Sequence, residues 1–143
     1  MRKFSVFGCG FIALSAALLA AGPAQAEVVI HINKSTQRMT VVRDGQALYQ
    51  WAVSTGRAGY GTPSGVFGPQ RMARSWFSHA YYNSPMPHSI FFYHGFAIHG
   101  TNEISRLGGR ASHGCVRLHP SHAAALYALV QRNGARNTRI EIN

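Results

Sequence analysis

Beyond residue 26 the chain is composed of short apolar runs broken by turn residues, and only one segment near its end carries a helical pattern. Val28-Val29-Ile30-His31-Ile32, Arg38-Met39-Thr40-Val41-Val42 and Ala47 to Val53 are too short for amphipathic helices and rich in β-branched and aromatic residues, so they predict strands. Asp44-Gly45 between the last two is a two-residue hairpin signal. Thr62-Pro63-Ser64-Gly65 marks a turn before Val66-Phe67, and strand patterns return at Ile90–Tyr93, Phe96–His99, Cys115–Leu118 and Thr138–Ile142. The segment Ser121 to Gln131 is filled with Ala and Leu, with Ser121 placed to cap it after Pro120 and Gly134 just beyond its end, which predicts a helix. Many short strands and one late helix predict a mostly β sandwich or barrel, with the helix following the Cys115 strand.

Residues 1–26 read as something other than fold. Arg2 and Lys3, an apolar stretch from Phe11 to Ala21 and the small residues of Ala24-Gln25-Ala26 have the form of a secretory signal, cleaved before Glu27. A retained membrane anchor requires about 20 apolar residues, more than this run supplies, and lipidation at Cys9 fits poorly because the apolar run follows that residue. Residues 27–143 then form one domain, long enough to bury a single core. They carry twelve basic and four acidic residues, a formal charge of +8. In the periplasm or cell envelope this charge meets stem-peptide carboxylates, wall polymers and lipid head groups, not nucleic acid. Cys115 is the only thiol left after cleavage, and its neighbours decide between a buried and a reactive role.

From Arg71 to Ser89 periodicity disappears, while Trp76, Phe77, Tyr81, Tyr82, Pro85, Met86 and Pro87 make the stretch aromatic and turn-rich. It is read either as a flap beside a site or as a loop tucking its rings into the core. The stretch with chemical content is Ile98-His99-Gly100-Thr101, a loop, then Ser112-His113-Gly114-Cys115-Val116-Arg117-Leu118. With Phe96 and Ile98 directed into the core, Ala97 and His99 point the other way, and the same parity puts Val116 and Leu118 inward, Cys115 and Arg117 outward. Two such strands side by side bring His99 and Cys115 to one cleft. A free thiol with pKa of about 8.5 is mostly protonated at neutral pH, and an adjacent imidazole can take the proton and hold the thiolate. Either Glu103 or a backbone carbonyl such as that of Gly100 can orient the imidazole. The N–H groups of Gly114 and Cys115 are candidates for an oxyanion hole, and Arg117 and Arg110 for holding a carboxylate.

These two segments together resemble the signature of the L,D-transpeptidase (YkuD-type) catalytic domain, and the resemblance spans nearly all of residues 27–143. Thr62 to Phe67, Met86-Pro87 and Phe91-Phe92 resemble supporting parts of the same family. The resemblance implies a peptidoglycan L,D-transpeptidase: a cysteine acyltransferase that attacks the carbonyl of the third-position diamino residue of a stem peptide and releases the terminal D-alanine. The thioester then passes to an amine, or to water in an L,D-carboxypeptidase or endopeptidase. Cys115 matches the nucleophile and His99 the base, with the Gly100 carbonyl orienting it. His113 matches a substrate-side histidine, and Ser112, Gly114 and Arg117 fall in the oxyanion and substrate-binding segment. No cofactor is implied, and carbapenem β-lactams are the expected inhibitors. The rival readings are a metal site drawn from His94, His99, His113, His119, His122 and Cys115, whose spacing matches no common zinc pattern, and a non-catalytic basic wall-binding protein with Cys115 buried.

Overall fold

The computed structural model describes residues 27–143; the export signal expected over residues 1–26 lies outside them. In chain order the elements are β1 (Val28–Asn33), β2 (Arg38–Arg43), β3 (Gln46–Ala52), β4 (Gly65–Phe67), β5 (Arg71–Ala73), β6 (Phe77–Ser78), β7 (Ser84–Pro85), β8 (Ser89–Tyr93), β9 (Phe96–Gly100), β10 (Val116–Leu118), α1 (Pro120–Asn133) and β11 (Thr138–Ile142). Asp44 and Gly45 both take positive φ, 48° and 79°, as a twisted two-residue hairpin between β2 and β3 requires.

A five-stranded sheet has the order β3-β2-β1-β11-β4, and a four-stranded sheet the order β10-β9-β8-β5. Two pairs are parallel: β1 with β11, aligning Ile30 with Ile140, and β9 with β10, aligning His99 with Arg117. The main core lies where alternate residues of both sheets meet the helix. Ile30, Ile32, Met39 and Val41 come from the first sheet, Ile90, Phe92, Ile98, Val116 and Leu118 from the second, and Leu126 and Val130 from α1. The architecture is therefore mostly β with one helix after the Cys115 strand, as the periodicity indicates.

Helix α1 begins one residue before Ser121. Pro120 occupies the first helical position, where its missing N–H costs nothing, and the cap is His119, whose Nδ1 accepts the Ser121 N–H at 3.2 Å. Ser121 is thus inside the helix and not its cap.

The second sheet is buried on both faces, which simple alternation does not anticipate. Met86, Phe91 and Ala97 form a second apolar cluster on the face turned away from the main core, with Trp76 and Cys115 packed against it. The 71–89 segment supplies this cover. Trp76 meets Phe91 edge-on at 5.7 Å, and the Arg71 guanidinium lies 4.4 Å from the Trp76 ring and 4.0 Å from that of Phe91. Further along, Tyr81, Tyr82 and Pro85 leave this cluster and line a cleft. Both readings of the segment hold, each for a different part: Trp76 packs inward while the β6–β7 hairpin stands beside a site.

Candidate active site

The site grows from the parallel β9–β10 pair. The register places Arg117 opposite His99, and Cys115, one residue before β10 and two before Arg117, comes to the same face. His99 and Cys115 line one cleft of about 300 Å³, with the β6–β7 hairpin on one side and Thr101, Asn102 and Glu103 on another.

His99 is only 6% exposed. Its Nδ1 lies 2.6 Å from the Gly100 carbonyl oxygen. A carbonyl only accepts, so Nδ1 carries the proton and Nε2 keeps its lone pair. The orienting partner is therefore Gly100, while Glu103 binds elsewhere. Burial is the largest influence on the ring and outweighs the Gly100 hydrogen bond, which acts the other way; with a smaller push from the Arg117 charge, the pKa falls to about 4. Burial also pushes the Cys115 thiol up, against a hydrogen bond with the Ala97 backbone and the Arg117 charge, both of which favour the thiolate. Both shifts favour a neutral thiol beside a neutral imidazole, not the thiolate–imidazolium pair expected from residue types alone.

The His99 shift has a consequence for stability. Its folded pKa lies below the unfolded value of about 6.5, so between those limits the unfolded chain binds a proton that the native chain refuses, and stability falls as pH drops through that window. Denaturant unfolding at pH 7 and pH 4.5 is expected to show a loss about 2–3 kcal/mol larger in the native protein than in His99→Gln. Equal losses would mean that His99 is not held neutral by burial.

The turn before Cys115 is fixed from within and from a distance. Ser112, fully buried, donates its hydroxyl to the Cys115 carbonyl and accepts the Gly114 N–H at 3.0 Å. The Gly114 N–H is therefore already occupied and does not serve as the oxyanion donor expected of it; of the two groups considered, the Cys115 N–H is left. Gly114 is needed for its shape: its φ is +124°, and a Cβ there would stand 2.5 Å from the Phe96 ring. Thr62 reaches the same turn from a remote segment, donating to the Gly114 carbonyl at 2.7 Å while accepting the Gly56 N–H at 2.9 Å.

His113 sits at the cleft rim. Arg57 donates to its Nε2 at 2.8 Å, the Tyr81 ring stacks on it at 4.1 Å, and Tyr60 meets it edge-on at 4.9 Å. Desolvation, then the charges of Arg57 and Arg117, hold its pKa below the ordinary histidine value. Arg57 and Tyr60 come from a segment in which no local pattern marks a site; Thr62 lies in the family-like turn, and Tyr81 in the aromatic stretch read as a flap.

Arg117 lines the cleft, but the carboxylate it holds is that of Glu103, at 3.1 Å. Arg110 donates to the Lys34 carbonyl at 3.3 Å and does not line the cleft. The histidines considered as metal ligands disperse: His94 rests on Tyr93, and His119, the cap of α1, lies against His122. No group of three possible ligands converges among the described residues.

Comparison with known proteins agrees with this fold. An L,D-transpeptidase from Mycobacterium smegmatis superposes with a TM-score of 0.74 at 22% identity, covering 82% of this chain and 59% of that one. LD transpeptidase LdtMt1, solved in complex with imipenem, gives 0.74 at 20% identity over 82% and 59%. L,D-transpeptidase 3 from Mycobacterium tuberculosis, solved with a faropenem-derived adduct, gives 0.71 at 18% identity over 82% and 60%. The chain thus spans about three fifths of the length of these structures, and at such identities the likeness establishes the fold. No curated protein is significantly similar to it in sequence. The model of the L,D-transpeptidase catalytic domain matches residues 27–142, so the chain belongs to the L,D-transpeptidase catalytic-domain (YkuD) family.

Proposed function

We propose that this chain is an exported peptidoglycan L,D-transpeptidase with Cys115 as nucleophile and His99 as general base. The observation that carries this reading is the His99 ring: neutral, with Nδ1–H committed to Gly100 and Nε2 bearing a lone pair, in one cleft with the sole thiol of residues 27–143. Because burial favours the neutral pair, proton transfer accompanies attack. As Cys115 Sγ bonds to the carbonyl carbon of the third stem residue, its proton passes to His99 Nε2. The tetrahedral oxyanion forms near the Cys115 N–H, and Arg117 supplies positive charge. Collapse breaks the C–N bond to the terminal D-alanine, whose amine leaves with the His99 proton. In the second half, an acceptor amine attacks the thioester and gives a proton to Nε2, and the departing thiolate takes it back. The free enzyme is restored. Gly100 positions the base, Ser112 and Gly114 position the nucleophile, and His113 faces the substrate from the rim.

The same thiol is the proposed site of carbapenem acylation, in keeping with the imipenem complex and the faropenem-derived adduct of the two relatives. Residues 1–26 are proposed as the leader. Protein expressed from the whole sequence, recovered from the envelope with Glu27 as its first residue and incubated with purified tetrapeptide stems, is expected to release D-alanine and yield cross-linked stems by mass analysis. Tripeptides alone would assign water as the acceptor; unaltered stems would overturn the reading.

A further inference from the structure

Of the four acidic side chains in residues 27–143, three lie on or at the ends of strands of the five-stranded sheet. Glu27 and Glu141 bind Arg139, and Asp44 forms the β2–β3 turn, where it accepts the Glu27 N–H. The fourth, Glu103, is the one acidic residue lining the cleft of Cys115 and His99. It is 57% exposed at its side chain, and its backbone is held in place by the Thr101 hydroxyl, which accepts the Glu103 N–H at 3.0 Å.

Its two oxygens are used unequally. Oε2 takes both cationic partners, Arg117 at 3.1 Å and Arg106 at 3.7 Å, whereas no hydrogen bond or ion pair to Oε1 is found among the described residues. An ionised carboxylate has about four lone-pair positions, so half of this acceptor capacity is unused on a residue that lines the cleft with Arg117 and His113. An anionic substrate group has Arg117 to approach, while a cationic one has a single counter-charge.

We propose that Glu103, through Oε1, receives the side-chain ammonium of the diamino residue whose carbonyl Cys115 attacks. This rests on the transpeptidase reading above. The placement suits it: Cys115 and Arg117 are two residues apart along one strand direction, about 6.6 Å at 3.3 Å per residue, and Glu103 lies against Arg117. A carbonyl held at Sγ therefore has the carboxylate within range of an amine on a flexible four-carbon stem. Such an amine is almost wholly protonated at neutral pH. Arg117 and Arg106 hold the carboxylate by one oxygen and leave the other to accept from a ligand in the cleft, which makes Glu103 a specificity-determining residue at the third stem position.

The test compares tetrapeptide donors with lysine or norleucine at that position, two side chains of similar length that differ in the ammonium. D-alanine release by the native enzyme is expected to favour lysine about tenfold in kcat/KM, and Glu103→Gln is expected to bring the two donors within about twofold by slowing lysine far more than norleucine. Titration of both peptides into Cys115→Ala, with and without Glu103→Gln, reads the same preference in binding alone. An equal fall for both donors would reduce Glu103 to a support for Arg117 and overturn the proposal, as would an undiminished lysine preference in the variant. Failure of the native enzyme to release D-alanine from either donor would instead remove the transpeptidase reading, and the binding preference would still show whether Oε1 holds an ammonium.

Discussion

Cys115→Ala is expected to lose stem turnover by about 10⁴-fold or more while remaining folded, with the unfolding free energy changed by about 1 kcal/mol or less. The first figure follows from the effect of deleting a nucleophile where no other group can form the covalent intermediate. The second follows from position. Cys115 packs at the margin of the small cluster of Met86, Phe91 and Ala97 and contributes nothing to the main core, so removing one sulfur leaves little unfilled volume. Its burial keeps the thiol neutral, so the native protein holds no buried charge at this position and the alanine variant neither gains nor loses one. Turnover and thermal unfolding measured on the same preparation decide the matter. A fall of several kcal/mol with the thiol removed would make Cys115 a packing residue and return the protein to the wall-binding alternative.

For His99→Gln the expected loss in Cys115 acylation is about 10²- to 10⁴-fold, with a distinctive dependence on pH and salt. A glutamine can donate to the Gly100 carbonyl as Nδ1–H does, so the strand keeps its bond while the base is lost. In the native enzyme, acylation by a carbapenem should hold its rate down to about pH 5 and fall as pH approaches 4, where the imidazole becomes protonated. Simple alkylation should follow the thiolate fraction instead and rise only above the ordinary thiol pKa, because burial pushes Cys115 up. If the +8 surface charge alone activated the thiol, salt would slow both reactions strongly. A base at hydrogen-bond range is screened little. Matching acylation profiles for native and His99→Gln protein at low and high salt would remove His99 from the mechanism.

The sequence carried local facts well and pairings poorly. The Asp44-Gly45 hairpin, the β9 and β10 strands and the body of α1 follow from alternation and turn chemistry, which act over a few residues. The parity of Ile98, His99, Val116 and Arg117 also follows from the period of two, and it was enough to place base and thiol on one face. Beyond that reach, strands β5 to β7 are two or three residues long and owe their existence to partners such as β8, so no pattern of their own announces them. That rings of the 71–89 stretch pack inward is one of its two readings, but which ring covers Ala97 and Phe91 is set by the fold and not by local pattern. The Gly114 N–H was misassigned because a serine hydroxyl two residues away competes for it, a contest settled by geometry and not by residue type.

The position of β11 bears on how such a chain reaches its native state. It lies between β1 and β4, inside the five-stranded sheet, although it comes from the last few residues. A polypeptide that emerges N-terminus first presents β1 to β4 long before the strand that joins them. Until then β1 and β4 expose unpaired edges, open to pairing with other chains, and the slow closure of a loop of roughly a hundred residues precedes completion of the sheet. The five-stranded sheet, and the frame it gives the cleft, therefore closes only once β11 is in place.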